Sequence, residues 1–273
     1  MTAGPSFSRV ARARLARPLP LVSYLLLATE THALCGSLAF FAMLGFYPLG
    51  LLLLSLAKYV LRSSAAQEAI RLALHVYYPV GQDFLVRNLE ASTGRLGEGV
   101  TVASTLWILL GGAGIFIPLE TAFNRLWGFP AHRPYWRNQA VGFLLTLVCW
   151  GLAVGVVLLV GAFPARLRPF VLQVAMIAFA AAVVFLFYRY LPNGPVPTRI
   201  ALPAAVLTAV TGEAVRLAFG LVLPLLGLPR SQGPFYVSVS FLVLVYVEAF
   251  VVLGGAYLAA EATRESDGDP TGA

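Results

Sequence analysis

Apolar residues in this chain come in long unbroken runs rather than in alternation with polar ones. The runs lie near 33–57, 100–119, 139–162, 169–189, 200–226 and 235–260, and a helix of about 20 such residues crosses roughly 30 Å of hydrocarbon. Barrel strands are excluded, because their residues alternate between lipid and lumen. The pattern predicts an all-α integral membrane protein of six transmembrane helices, folded as one polytopic domain over 1–262. Polar residues with Gly and Pro take over at 263–273, which are expected to form a disordered cytoplasmic tail.

Two further segments carry amphipathic patterns. Residues 8–29 join a basic stretch (Arg9, Arg12, Arg14, Arg17) to "PLPLVSYLLLA", and no small-residue cleavage signal precedes a soluble domain. They predict an uncleaved helix on the membrane surface that leads into the first span. Residues 58–99 mix charges with Ile70, Leu74, Tyr77 and Tyr78 near helical spacing, predicting one or two amphipathic helices on the outer face. Pro48, Pro118, Pro203 and Pro224 are expected to kink or end their helices. Gly151 and Gly155 form a GxxxG with Gly161 nearby, a pattern that allows close helix contact.

Composition supports this reading. Hydrophobic residues make up 59% of the chain and charged residues 11%, against roughly 45–50% and about 25% in soluble domains. The net charge of +7 comes almost wholly from Arg, since Lys58 is the only lysine, and most of the arginines flank apolar runs. That placement is a topology signal, not a nucleic-acid one. Short segments on one side (the N-terminus, 120–138, 190–199 with Arg189 at its edge, and the tail) hold ten arginines, and those on the other hold three, Arg166, Arg168 and Arg230. Both termini are therefore expected in the cytoplasm, with 58–99 translocated across the membrane. Cys35 and Cys149 fall in spans with no metal or redox spacing, so core packing is expected of both.

Charges inside the runs are the candidates for chemistry. "TGEAVRLAFG" places Glu213 and Arg216 within the fifth run. Unpaired charges at the bilayer centre cost about 2.5–3.5 kcal/mol each on insertion scales, so pairing at i and i+3 is the cheapest remedy. Ala209 and Gly220 extend the same face with small residues, which turns it inward. Three readings stay open: an ion pair that only fixes packing, a pair that lines a polar cavity, or a glutamate that is simply protonated. Glu248 lies mid-way along the sixth run, with Gly255 on its face. Antiparallel packing of the fifth and sixth spans would bring Glu213, Arg216 and Glu248 together.

A second group lies at the end of the second run. Glu120 and Asn124 are i,i+4 partners, followed by Trp127 and the Arg133-Pro134-Tyr135-Trp136-Arg137 cluster. An interfacial belt of Trp, Tyr and Arg accounts for the cluster. The sharper reading is a site in which Arg133 and Arg137 hold a lipid phosphate while Asn124 orients the loop. Enzymatic sites find no support. Asp83, Asp267 and Asp269 are the only aspartates, the histidines are scattered, and "GGAG" at 111–114 lacks the Gly-Lys-Ser/Thr of a phosphate loop. No catalytic residue, metal, cofactor or nucleic-acid partner is expected.

Three stretches together resemble the YihY/BrkB family of bacterial inner-membrane proteins, once labelled ribonuclease BN. They are "SLAFFAMLGFYPLGLLLLSL" (37–56), "LETAFNRLWGFPAHRPYWRN" (119–138) and "FLVLVYVEAFVVLGGAYLAAE" (241–261). "GEAVRLAF" (212–219) is similar to the family's acidic-then-basic segment, whereas Glu248 stands where the family more often has a small polar or apolar residue. The resemblance implies a six-helix membrane fold and the candidate role of a non-ATP-driven transporter or flippase of an anionic envelope lipid. The alternative is a membrane scaffold without transport activity, whose outer and basic cytoplasmic loops dock envelope proteins.

Overall fold

The computed structural model describes residues 19–77, 114–130, 135–226 and 236–267. Among these residues there are helices and short connections and no strand. A short helix α1 (Leu19–Val22) runs into a π-helical turn (Ser23–Leu27). The extended residue Ala28 then bends the chain by 61° into α2 (Thr29–Ser55), which ends in a second π-helical turn (Leu56–Val60). The amphipathic helix α3 (Ser64–Tyr77) follows, and α4 covers 114–127. Helices α5 (Tyr135–Gly161), α6 (Arg168–Tyr190), α7 (Thr198–Val222) and α8 (Tyr236–Asp267) complete the set.

Among the described residues four segments are long and apolar enough to cross a membrane unaided: Ala140–Gly161, Arg168–Tyr190, Thr198–Val222 and Ser238–Ser266. The bent pair Pro20–Leu27 and Thr29–Phe46 makes a fifth if counted as one broken span. The expected second span lies mostly outside the described residues, so the structure gives a helical membrane protein of four to five candidate spans.

Helix α7 packs against both α6 and α8, and α8 packs against α2. The α7–α8 seam is built from alanines: Ala201, Ala204 and Ala205 on one side and Ala256, Ala259 and Ala260 on the other are all buried. Small side chains let two helices approach closely and satisfy packing without a water-driven apolar effect. The Gly151–Gly155 pair plays no such part, since both glycines are on the outer face of α5 with no described neighbour. Gly161 makes the close approach instead, where a Cβ would stand 3.3 Å from the backbone of Ala65. That contact seats α3, whose Ala66, Ala69 and Ile70 are buried while Glu68 and Arg71 form an exposed ion pair.

Several boundaries differ from the sequence expectation. Helix α4 continues through 120–127, segments expected to be loop, because Leu119, Ala122, Phe123, Leu126 and Trp127 continue a buried stripe at helical spacing. Helix α8 passes the expected end at 262 and reaches Asp267, since Thr263 is buried against Trp127 and Arg264 ties to the end of α4. Pro118 and Pro203 lie within continuous helices, whereas Pro224 sits in the 3-10 turn (Leu223–Leu226) that ends α7. Gly220 is exposed with no neighbour, so only Ala209 of the expected small-residue pair faces the interior. Residues 8–18, Tyr78, Arg133 and most of 58–99 beyond α3 lie outside the described residues, as does 268–273 of the tail.

Candidate functional site

Three helices supply one mixed-charge cluster. On α7 the guanidinium of Arg216 faces the Glu213 carboxylate one turn away, its Nε donating to Oε1 and Oε2 at 3.2 and 3.1 Å and its Nη2 also bonding Oε1. From α6, Gln173 Nε2 donates to the same Glu213 Oε1 at 2.6 Å. The side chains are 16% and 13% exposed for Arg216 and Glu213, so the pair is largely withdrawn from the surface. It is not central: both residues lie in the half of α7 that ends at Val222, and Gln173 lies little more than one turn from Arg168 at the start of α6.

Glu248 of α8 completes the cluster. Its carboxylate lies against the α7 backbone at Gly212, where a Cβ would stand 2.7 Å from Oε2. A side chain at Gly212 would therefore push the Glu248 carboxylate away from α7. Both Glu213 and Arg216 act on Glu248 electrostatically, and Glu248 makes no hydrogen bond to another described side chain. The meeting of Glu213, Arg216 and Glu248 follows the antiparallel packing of α7 on α8, as the sequence spacing suggests.

One to two turns along α8 a neutral polar knot closes the seam. Tyr188 OH donates to Val252 O at 2.7 Å and lies 3.0 Å from Thr208 Oγ1, which itself bonds Ala204 O. Gly255 makes room for it, since any Cβ there would collide with both hydroxyl groups. An apolar cavity of about 270 Å³ lies between α2, α3, α5, α6 and α8, lined by none of the four cluster residues. Met176 lines it one turn from Gln173, and Phe241 lines it two turns from Glu248 on the same face of α8. A second apolar cavity of about 320 Å³ shares Phe46, Ala153, Phe179 and Phe241 with the first.

The second expected group is dispersed. Glu120 and Asn124 are both buried. Asn124 Oδ1 accepts the Asn193 backbone N–H at 2.7 Å, and Asn193 Nδ2 donates to Pro130 O at 2.8 Å. The Phe129 N–H closes on Asn124 O at 2.8 Å around Gly128, whose φ of +70° suits glycine. Asn124 thus fixes the turn after α4 to the connection between α6 and α7. Arg137 is exposed beside Trp136, which is 80% exposed, at the first turn of α5. Glu120 and Arg137 do not meet the Glu213 cluster in any described contact, and Arg133 lies outside the described residues.

Sequence reading missed several polar positions. Gln173 is the one amide in the run from Arg168 to Tyr188, and an isolated polar residue in an apolar span is itself a signal. Arg264 forms an ion pair with the buried Glu261 at 2.9 Å and donates to Leu126 O at 2.7 Å, capping the end of α4. Arg125 pairs with Glu30 at the start of α2. The Arg125–Glu30 and Arg264–Leu126 contacts join residues 95 and 138 positions apart, and no local pattern reveals them, whereas Arg264 and Glu261 form a local i,i+3 pair.

Comparison with known proteins returns one family and a consistent set of relatives. A family model described as virulence factor BrkB matches residues 26–273. A UPF0761 membrane protein of Pseudomonas aeruginosa strain LESB58 is 28% identical over 199 residues, covering 65% of this chain and 48% of the relative. One from Aromatoleum aromaticum is 26% identical over 253 residues, covering 86% of this chain and 60% of the relative. One from Saccharophagus degradans is 30% identical over 184 residues, covering 62% and 39%. The chain thus spans about two fifths to three fifths of the length of these curated relatives. No solved structure matches. With its described helices bundled around an apolar core and its sequence matched over nearly its full length, this chain is a membrane protein of the BrkB family.

Proposed function

We propose that the protein carries an amphipathic envelope lipid between the two sides of the membrane without ATP, as a transporter or flippase. The observation that supports this reading is that one bundle holds both a charged cluster and an apolar cavity, whose lining residues Met176 and Phe241 stand one helical turn from Gln173 and two turns from Glu248. Gln173, Glu213, Arg216 and Glu248 form a polar end, and the cavity bordered by Met176 and Phe241 forms an apolar one. Ligand pockets are typically apolar spaces of about 300–1,000 Å³ with a few convergent polar groups, and the two adjoining cavities are of that order. Arg137, exposed beside Trp136, and Arg133 would meet lipid phosphate at the membrane surface. Both termini would be cytoplasmic in an inner membrane, and no catalytic step is needed.

The other reading is a scaffold without transport. It is favoured by the self-sufficiency of the Glu213 carboxylate, which already accepts bonds from Gln173 and Arg216, and by the Tyr188–Thr208 knot that closes the seam. Reconstitution in liposomes containing a trace of head-group-labelled fluorescent phospholipid separates the two. The carrier reading expects faster transbilayer movement of the label with the wild-type protein than with the Glu213→Gln/Arg216→Met variant. Movement no faster than in protein-free liposomes would overturn it and leave the scaffold.

A further inference from the structure

We propose that the charged cluster selects a lipid whose head group carries a protonated amine, and that Glu248 is the side chain that reads it. This rests on the lipid-carrier reading and replaces the anionic preference that the family resemblance implies. The first argument is charge. Among the described residues one guanidinium stands with two carboxylates, so the cluster carries one excess negative charge whenever both carboxylates are ionised. An anionic head group would meet that charge with repulsion, and a charge brought into low dielectric needs a partner of opposite sign.

The second argument is the distribution of donors. Glu213 receives Gln173 and three contacts from Arg216, three of the four on Oε1 and one on Oε2, so its charge already has partners within the protein. Glu248 receives none from the described side chains, and Gly212 holds its carboxylate against α7 without a Cβ in the way. An ammonium group offers three donors on a compact point charge, which suits one open carboxylate better than a planar fork does. The third argument is what lies beside it. Phe241, two turns from Glu248 on the same face of α8, borders an apolar cavity of about 270 Å³; that separation of about 10 Å along the helix is one a lipid spans between its amine and its hydrocarbon chains.

The test uses the full-length protein in phosphatidylcholine nanodiscs doped with either phosphatidylethanolamine or its N-acylated form. Acylation removes the ammonium while keeping both chains and the phosphate. Native mass spectrometry then counts retained dopant. The expected result is about tenfold greater retention of phosphatidylethanolamine, the order of one charge-assisted hydrogen bond, with the preference lost in Glu248→Gln at unchanged total lipid. Equal retention of the two lipids by the wild-type protein would overturn the inference even if Glu248→Gln did not fold, and so would an unchanged preference in a folded Glu248→Gln. Retention of neither dopant would overturn the lipid-carrier reading itself. Retention of both without preference would leave that reading standing and remove only the amine.

Discussion

Arg216 and Glu213 are tolerable in α7 because each is the other's nearest partner, at i and i+3 on one helical face. Arg216→Ala leaves the Glu213 carboxylate with Gln173 alone and a second carboxylate, Glu248, close by. Removing one partner of a buried pair costs about 3–5 kcal/mol, whereas replacing both by groups of similar volume is often near neutral. The single variant should therefore lower the unfolding midpoint in mild detergent, and Glu213→Gln/Arg216→Met should recover most of the loss. A double variant no more stable than Arg216→Ala would show that the pair contributes more than mutual compensation. The pair itself is legible in sequence, because two opposite charges at i and i+3 in an apolar run admit few other arrangements. Gln173 and Gly212 are not, because their roles exist only once α6 and α8 are packed on α7.

Element ends are where hydropathy and structure part. Where a charge is followed by further polar residues an apolar run is read as ended, so the sequence ends the second run at Leu119 and assigns 120–138 to a loop. The helix continues to 127 because its buried stripe keeps helical spacing and because its last turn is held by other elements. Arg264 caps Leu126 O from α8, Trp127 Nε1 donates to Thr263 Oγ1 at 3.3 Å, and Asn124 holds the α6–α7 connection. Such caps satisfy the orphan carbonyls of a helix end, and they come from positions that no window of sequence contains. Asn124→Ala should expose this dependence by leaving the Asn193 N–H without its acceptor, at a cost of roughly 1–3 kcal/mol. Limited proteolysis between 128 and 134 should then quicken, while Trp136→Ala, on an exposed side chain, leaves the rate unchanged. Equal protection of the wild-type and Asn124→Ala proteins would show that Asn124 does not hold the turn.

At the scale of the whole molecule, the described helices arrange their ends in two sets. The Arg125–Glu30 pair, the Asn124–Asn193 bond and the Arg264–Leu126 bond gather the start of α2, the end of α4, the α6–α7 connection and the end of α8 at one end. The α5–α6 connection, with Arg168 bonded to Phe163 O at 3.0 Å, lies at the other. This grouping agrees with the alternation that the arginine count assumes, but geometry alone is symmetric between the two sides of a membrane. Orientation comes only from the excess of arginine in the short segments at the first end, since cytoplasmic loops retain Lys and Arg. The prediction is that the Arg264 end is cytoplasmic and the Arg166 connection is outside. In a background with Cys35 and Cys149 replaced by Ala, Arg166→Cys should react with a membrane-impermeant thiol reagent in intact cells. Glu265→Cys, also exposed, should react only after the membrane is opened. The reverse pattern would invert the molecule and put the Glu213 cluster, which lies toward the Arg168 end of the bundle, nearer the cytoplasmic surface. A lipid would then reach Glu248 from the inside first, so this measurement also fixes the side from which the proposed amine is taken.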